Sequence, residues 1–410
     1  RNGFELFVQD DKLHFRKPKQ EGSLRLEWLK DLTSFQVRVT SAEQVSEVEV
    51  RGWDLKQKRS IVANKNNASI LTETEYGQGK KTSSAFQGKP GSPKLVVVDQ
   101  PIATQQEADK IAQALFHELS DEFVQADAQA QGNPGIRPGR VVTLEKMGKY
   151  SGKYYVTETH HTYHDGVYLT AFSIRGLRGG DLLSLLSPAT RLQPGQTLLI
   201  GIVTNNQDPD KLGRVRVKFP TLTEEHESDW ARVVAIGAGK SRGFDCLPEI
   251  DDEVLVGFEH GDIHRPFVIG GLWNGKDAPP TPVDQSVDGS GVRLRTIKTR
   301  TGHHMQFVEA DQGSSKKGIL IKSVYGHQVY LNDSEKKIEI RTSGGHVIVL
   351  DDQGRSIQMK SSGGHQLNLN DVSRSVSLES VGSMTLKATT NLDIQATGMV
   401  TVKGLTIRLN

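Results

Sequence analysis

Apolar and polar positions alternate with period two along much of this chain, and the texture of the alternation changes twice. Phe4-Glu5-Leu6-Phe7-Val8 and Leu13-His14-Phe15 flank Asp10-Asp11 and read as a hairpin. Residues 35–40 and 47–52 alternate as half-buried strands do. One helix is well signalled: Thr104 and Glu107 form a capping box, and Ala108, Ile111, Ala112, Leu115, Leu119 and Phe123 follow at helical spacing. Residues 132–139 (GNPGIRPG) end it, and strands are expected at 140–144, 153–160 and 167–174. A second texture follows, with short strands at 198–204, 214–219, 231–236, 253–258 and 266–270, as in a small Greek-key barrel of OB type.

The third texture is a repeat. Gly302-His303, Gly326-His327, Gly345-His346 and Gly364-His365 are spaced 24, 19 and 19 residues apart. Each is followed by an apolar pair: Met305/Phe307, Val329/Leu331, Ile348/Leu350 and Leu367/Leu369. Return strands carry Ile319/Ile321, Ile338/Ile340, Ile357/Met359 and Val376/Leu378, with turns at Asp333, Asp352 and Asp371. The unit then shortens to strands holding Met384/Leu386, Leu392/Ile394 and Val400/Val402, before Leu405, Ile407 and Leu409. One chain of such hairpins leaves strand edges open and a narrow apolar face wet. Winding identical chains together pairs the edges and buries the faces, so a closed homo-oligomer, a three-fold prism, is expected. Such a rod is stiff and has no pocket, which favours a mechanical role.

Composition sharpens these boundaries. The 410 residues suffice for two to four domains. Trp28, Trp53, Trp230 and Trp273 are the tryptophans, and no proline follows Pro282. The expected organisation is residues 1–190, a barrel at 191–276, a linker at 277–292 and a repetitive stem at 293–410. Net charge is +2, and residues 191–280 hold ten Lys/Arg against fourteen Asp/Glu. No segment has the basic excess of a DNA-binding domain. Cys246, alone, excludes an intrachain disulfide framework and a cysteine-based zinc site. No apolar run reaches the roughly 18 residues of a membrane helix, and no signal peptide is seen. The start at Arg1 rather than Met points to a processed or truncated N-terminus.

Particular residues carry a resemblance. DPDKLGRVRVKFP (208–220), SDWARVV (228–234) and AGKSRGFDCLPEIDDEVLVGFEHGDIHRPFVIGGLWNG (238–275) resemble, in order, the OB domain of the VgrG and phage baseplate-spike family. The Gly-His repeats are similar to that family's stem. Residues 3–18, the capped helix and 153–176 resemble its tail-hub half, although an additional hub barrel usual in the family is missing before this point. The resemblance implies a mainly β chain: a partial tail-hub α+β/β-barrel region, an OB-fold barrel, then an intertwined trimeric β-helix or β-prism spike. It implies a homotrimer at the centre of a contractile injection baseplate, made in the bacterial cytoplasm and driven outward through a target envelope, with transient membrane contact. Inner-tube (Hcp-like) and baseplate proteins, possible effector cargo and a PAAR-like tip protein are the partners implied. The spike core is expected at Val329, Leu331, Ile338, Ile340, Ile348, Leu350, Ile357, Met359, Leu367 and Leu369, and tip-cap docking at Leu405, Ile407, Leu409 and Asn410.

Other constellations weigh less. His160, His161 and His164 (HHTYH) lack a third compact ligand for zinc, and the stem histidines recur with Gly at strand starts, where a turn or interchain hydrogen bond outweighs a metal ladder. Arg214, Arg216 and Lys218 alternate outward from Val215, Val217 and Phe219, as on an oligonucleotide-binding face. The acidic balance and scarce aromatics oppose that, so no specific nucleic acid is expected. An OB-fold oligonucleotide- or polysaccharide-binding module on a trimeric β stalk is the alternative reading. Glu249, Asp251, Asp252 and Glu253 suggest a glycosidase pair but read better as a solvated turn. About 20 residues between barrel and stem are too few for an enzyme domain. No catalytic residue, cofactor or metal is expected.

Overall fold

The computed structural model describes residues 4–9, 11–22, 24–68, 70–84, 92–176, 193–289 and 291–408. The chain is mainly β and divides into two units, Arg1–Asp277 and Ala278–Asn410.

In the first unit the hairpin pairs Glu5–Gln9 with Lys12–Arg16, so that Leu6 faces Phe15 and Val8 faces Leu13. Two four-stranded sheets share a core. One sets Leu32–Val39, Val124–Gln131, Val167–Ile174 and Glu158–His164 side by side, and the other joins Leu24–Glu27, Val141–Glu145, Gly152–Tyr155 and Glu73–Thr74. Leu32, Leu144, Tyr154 and Ile174 are fully buried between them. The strand expected over 153–160 is therefore two strands in different sheets, because the chain turns at Val156-Thr157 to leave one sheet for the other. Val124–Gln131 (VQADAQAQ) is central to its sheet, yet its inward side chains are mostly alanines, too small to stand out as an apolar period.

The helix Gln105–Asp121 starts where its cap is written. Thr104 Oγ1 accepts from the Glu107 N–H at 3.2 Å, while Glu107 Oε2 accepts from the N–H of Ala103 rather than of Thr104. Its apolar stripe, Ala108, Ala112, Phe116 and Leu119, packs on Val48, Val50, Ile61 and Ala63 of a three-stranded sheet formed by Arg59–Lys65, Glu47–Asp54 and Lys94–Val97. Small helix residues let the helix approach the sheet closely, and Phe116 fills what remains.

Five strands, Leu199–Asn205, Arg214–Lys218, Ala231–Val233, Pro266–Gly271 and Glu253–Phe258, close into a barrel in that order. Its interior is β-branched: Val203, Val215, Val217, Val254, Val256 and Val268 have no exposed surface. These five strands are the ones the alternation predicts.

The second unit is one continuous antiparallel sheet of nine five-residue strands, from Leu294–Lys298 to Ser375–Glu379, each paired with the next in sequence. It is preceded by a helical turn, Val283–Ser286, and a two-residue hairpin pairing Val287–Asp288 with Gly291–Val292. Two turn types alternate. In the Gly-His turns, Ser323 N–H donates to His327 O at 2.9 Å and Gly326 N–H donates to Ser323 O at 3.0 Å, a pattern repeated at Thr342–His346 and Ser361–His365. Gly326, Gly345 and Gly364 sit at φ of 89°, 88° and 93°, where a side chain is strained, which is why glycine recurs every nineteen residues. In the Asp turns the left-handed position falls on Lys336, Arg355 and Arg374, and Asp352 N–H reaches back to Lys336 O, stacking each turn on the one before.

Candidate functional site: the apolar face of the stem

A five-residue strand presents its second and fourth side chains to one face. Cross-strand register therefore aligns one row through Met305, Ile321, Val329, Ile340, Ile348, Met359, Leu367 and Leu378. A second row runs through Phe307, Ile319, Leu331, Ile338, Leu350, Ile357, Leu369 and Val376. All ten residues expected in the spike core lie in these two rows. Among the described residues the rows are only partly covered, Met384 and Leu386 lining a cavity with Ile340, Ile348 and Met359: Ile340 is 42% exposed, Met359 46% and Leu378 55%. Burying each such side chain contributes on the order of 1–3 kcal/mol, so a face of this length strongly favours a cover.

The opposite face mixes polar residues with Leu320, Val347 and Val349, and its charges are paired in places. Glu339, 9% exposed, sits between Lys337 and Arg341, each within 2.9 Å. Burial opposes its ionisation, but hydrogen bonds from the two cations outweigh burial and hold its carboxyl below the ordinary value. The alternating Lys-Ile-Glu-Ile-Arg of 337–341 is the sequence signal for this cluster. The longer first repeat is accommodated by a loop in which Asp311 accepts from Lys317 N–H at 2.7 Å and from Ser334 Oγ at 2.5 Å.

The stem histidines serve turns. His327 Nδ1 accepts from Ser343 N–H and His346 Nδ1 from Ser362 N–H, both at 3.2 Å, and His365 Nδ1 lies 3.0 Å from Ser380 Oγ. Each imidazole thus ties its own turn to the next repeat. Among the described residues no group of three His, Cys, Asp or Glu is placed to hold a metal ion.

Beyond Glu379 the expected short strands do not form. Residues 380–408 contain no strand, and Leu386, Leu392, Ile394, Val400, Val402, Leu405 and Ile407 stand more than half exposed. These residues do not extend the sheet, and Ser375–Glu379 pairs only with Gln366–Asn370, so its outer edge takes no strand among the described residues. Leu409 and Asn410, expected at the tip, lie outside the described residues.

The competing constellations resolve differently. His161 Nδ1 lies 3.0 Å from Thr170 Oγ1 and 2.9 Å from Tyr168 Oη, and His160, His161 and His164 are all exposed. Arg214 is held by Asp208 at 2.7 Å and by Asp210, and Arg216 stacks 5.2 Å over Trp230. The outward arginines are thus partnered within the barrel, and the aromatic beside them is already covered. Glu253 corrects the reading of a solvated acidic turn: it is 4% exposed and bonded to Trp53 and Asn274. No helix among the described residues is long and apolar enough to cross a membrane.

Comparison with known proteins follows the same division. Residues 199–273 match the type VI secretion system/phage-baseplate injector OB domain, and residues 1–165 match the Alg8 N-terminal domain. The type VI secretion system spike protein VgrG1b of Pseudomonas aeruginosa is 27% identical over 130 residues, 31% of this chain and 18% of that protein. The actin cross-linking toxin VgrG1 of Vibrio cholerae is 32% identical over 102 residues, 24% of this chain and 9% of its own length. A 43 kDa tail protein of prophage MuSo2 from Shewanella oneidensis has a TM-score of 0.31 at 12% identity, covering 42% of this chain and 48% of that one. The chain thus spans under a fifth of the length of these curated relatives. The chain is thus similar in part to VgrG spike proteins, and its residues 199–273 match the injector OB domain.

Proposed function

We propose that this protein is a non-enzymatic hub-spike of a contractile injection apparatus that works as a homotrimer. The observation that carries the reading is the pair of unbroken apolar rows on a one-layer sheet, left half-exposed among the described residues. Three copies wound together bury one such face each and give the strand-poor 380–408 segment further edges to pair with. Residues 1–190 then act as the hub that meets Hcp-like tube and baseplate proteins, 191–276 as the OB collar, 277–292 as the connection and 293–410 as the shaft. The trimer carries a PAAR-like tip, and any effector cargo, from the cytoplasm of the producing cell through the target envelope. Similarity to spike proteins over the barrel supports this role. Mass in solution tests it: the full chain should run at three times 45.1 kDa and resist mild detergent. A monodisperse monomer would end the proposal.

A further inference from the structure

Away from the stem, the outer face of the helix Gln105–Asp121 and the N-terminal segment carrying Phe4, Lys17 and Gln20 wall a groove of about 1210 Å³. Asp121 lines it and is 4% exposed. Its Oδ1 accepts from Leu71 N–H at 3.0 Å, but its Oδ2 is buried and has no hydrogen-bond partner among the described residues. A buried carboxylate oxygen without a donor is costly, and because Asp121 lines the groove, a donor seated there is placed to satisfy it. The other acid on the wall, Asp109, is already paired with Lys65 at 2.7 Å. Lys17 and Lys110 also line the groove and form no ion pair with an acid among the described residues. The groove therefore holds one buried, unpaired carboxyl and two accessible cations, with Phe4, Pro18 and Ala114 as apolar wall. A seventeen-residue helix runs about 25 Å, long enough for an extended segment of about seven residues.

We propose that this groove receives a peptide segment of a partner protein, in which an arginine or lysine pairs with Asp121 and a neighbouring carboxylate meets Lys17 or Lys110. A guanidinium suits Asp121 best, because it supplies donors to Oδ2 without displacing the Leu71 N–H from Oδ1. The proposal is independent of the trimeric shaft.

Isothermal titration of the full chain with acetyl-Arg-Glu-amide, and with its uncharged isostere acetyl-citrulline-Glu-amide, tests it. The arginine peptide should bind saturably and at least tenfold more tightly than the citrulline peptide. Asp121→Asn should abolish that preference, while Asp109→Asn should keep the affinity within twofold. At pH 6 arginine-peptide binding should also release a proton from wild type, read from the dependence of the heat on buffer ionisation, a measurement that stands even if Asp121→Asn fails to fold. No saturable binding, equal affinity for the two peptides, no proton release, or a preference surviving in Asp121→Asn would each overturn the proposal.

Discussion

The indole N–H of Trp53 donates to Glu253 Oε1 at 3.0 Å across 200 residues of sequence. Glu253 also accepts from Asn274 Nδ2 at 2.9 Å, and Gly275 N–H donates to Leu55 O at 2.9 Å, so the sheet carrying Trp53 is fastened to the barrel at one buried carboxylate. Burial raises the carboxyl of Glu253 above its ordinary value, against the lowering effect of these two donors. Trp53→Phe keeps most of the packing and deletes the donor, leaving Oε1 buried and unsatisfied. A loss of about 1–3 kcal/mol is expected in urea unfolding of the first unit. Glu253→Gln still offers an oxygen to the indole and should cost less. A Trp53→Phe protein as stable as wild type would show that the bond adds nothing.

Ile348 sits in the apolar row opposite both Ile340 and Met359, whereas Asp352 opens a turn. In a trimer, Ile348→Asp places three carboxylates in a shared apolar interior, at several kcal/mol each plus mutual repulsion. Loss of the trimer, or a fall in melting temperature above about 10 °C, is expected by size exclusion and calorimetry. Asp352→Ala should shift melting by a few degrees at most. Equal effects would remove the distinction between the two faces.

Asp121 predicts a pH dependence with a definite sign. Burial pushes its carboxyl up to about 7, Glu122 adds to the rise, and only the Leu71 N–H opposes it. Between the ordinary value near 3.9 and about 7, the folded protein keeps a proton that the unfolded chain releases. This contribution is greatest below about pH 4, falls as pH rises through that window, and is flat above it. Asparagine carries no such proton. The stability of wild type relative to Asp121→Asn should decline from pH 4.5 to 7, by at most about 1.4 kcal/mol per pH unit, then level off. A difference constant with pH would mean that Asp121 ionises normally in the fold.

Much of this architecture is written locally. The barrel strand Arg214–Lys218 alternates valine with basic residues, the helix carries its own cap, and the stem repeats Gly, His and apolar pairs at fixed spacing, so each is legible in the residues themselves. What escapes such a reading depends on distance along the chain. Glu253 reads as a solvated member of an acidic run because its partners, Trp53 and Asn274, are not its neighbours in sequence. The strand Val124–Gln131 is silent because alanine fills its core positions. The tail beyond Glu379 has the apolar spacing of short strands but does not add to the open edge of Ser375–Glu379, and spacing alone does not decide whether an edge is taken.

That tail is the site of the last prediction. Leu405 and Ile407 are exposed, and in a trimer three such segments would bring strand-capable stretches with apolar side chains together. Open edges and apolar patches are docking surfaces, and a small conical cap of the PAAR type would complete both. Binding by strand addition and apolar burial depends little on salt. A pull-down of the cognate cap by the full chain should therefore survive a rise in salt from 0.1 to about 0.5 M, which leaves charge–charge attraction largely screened. Deleting residues 405–410 should abolish capture while the trimer persists by size exclusion. Undiminished capture by the truncated trimer would place the cap elsewhere, and capture lost at high salt by the full chain would replace apolar burial with charge as its basis.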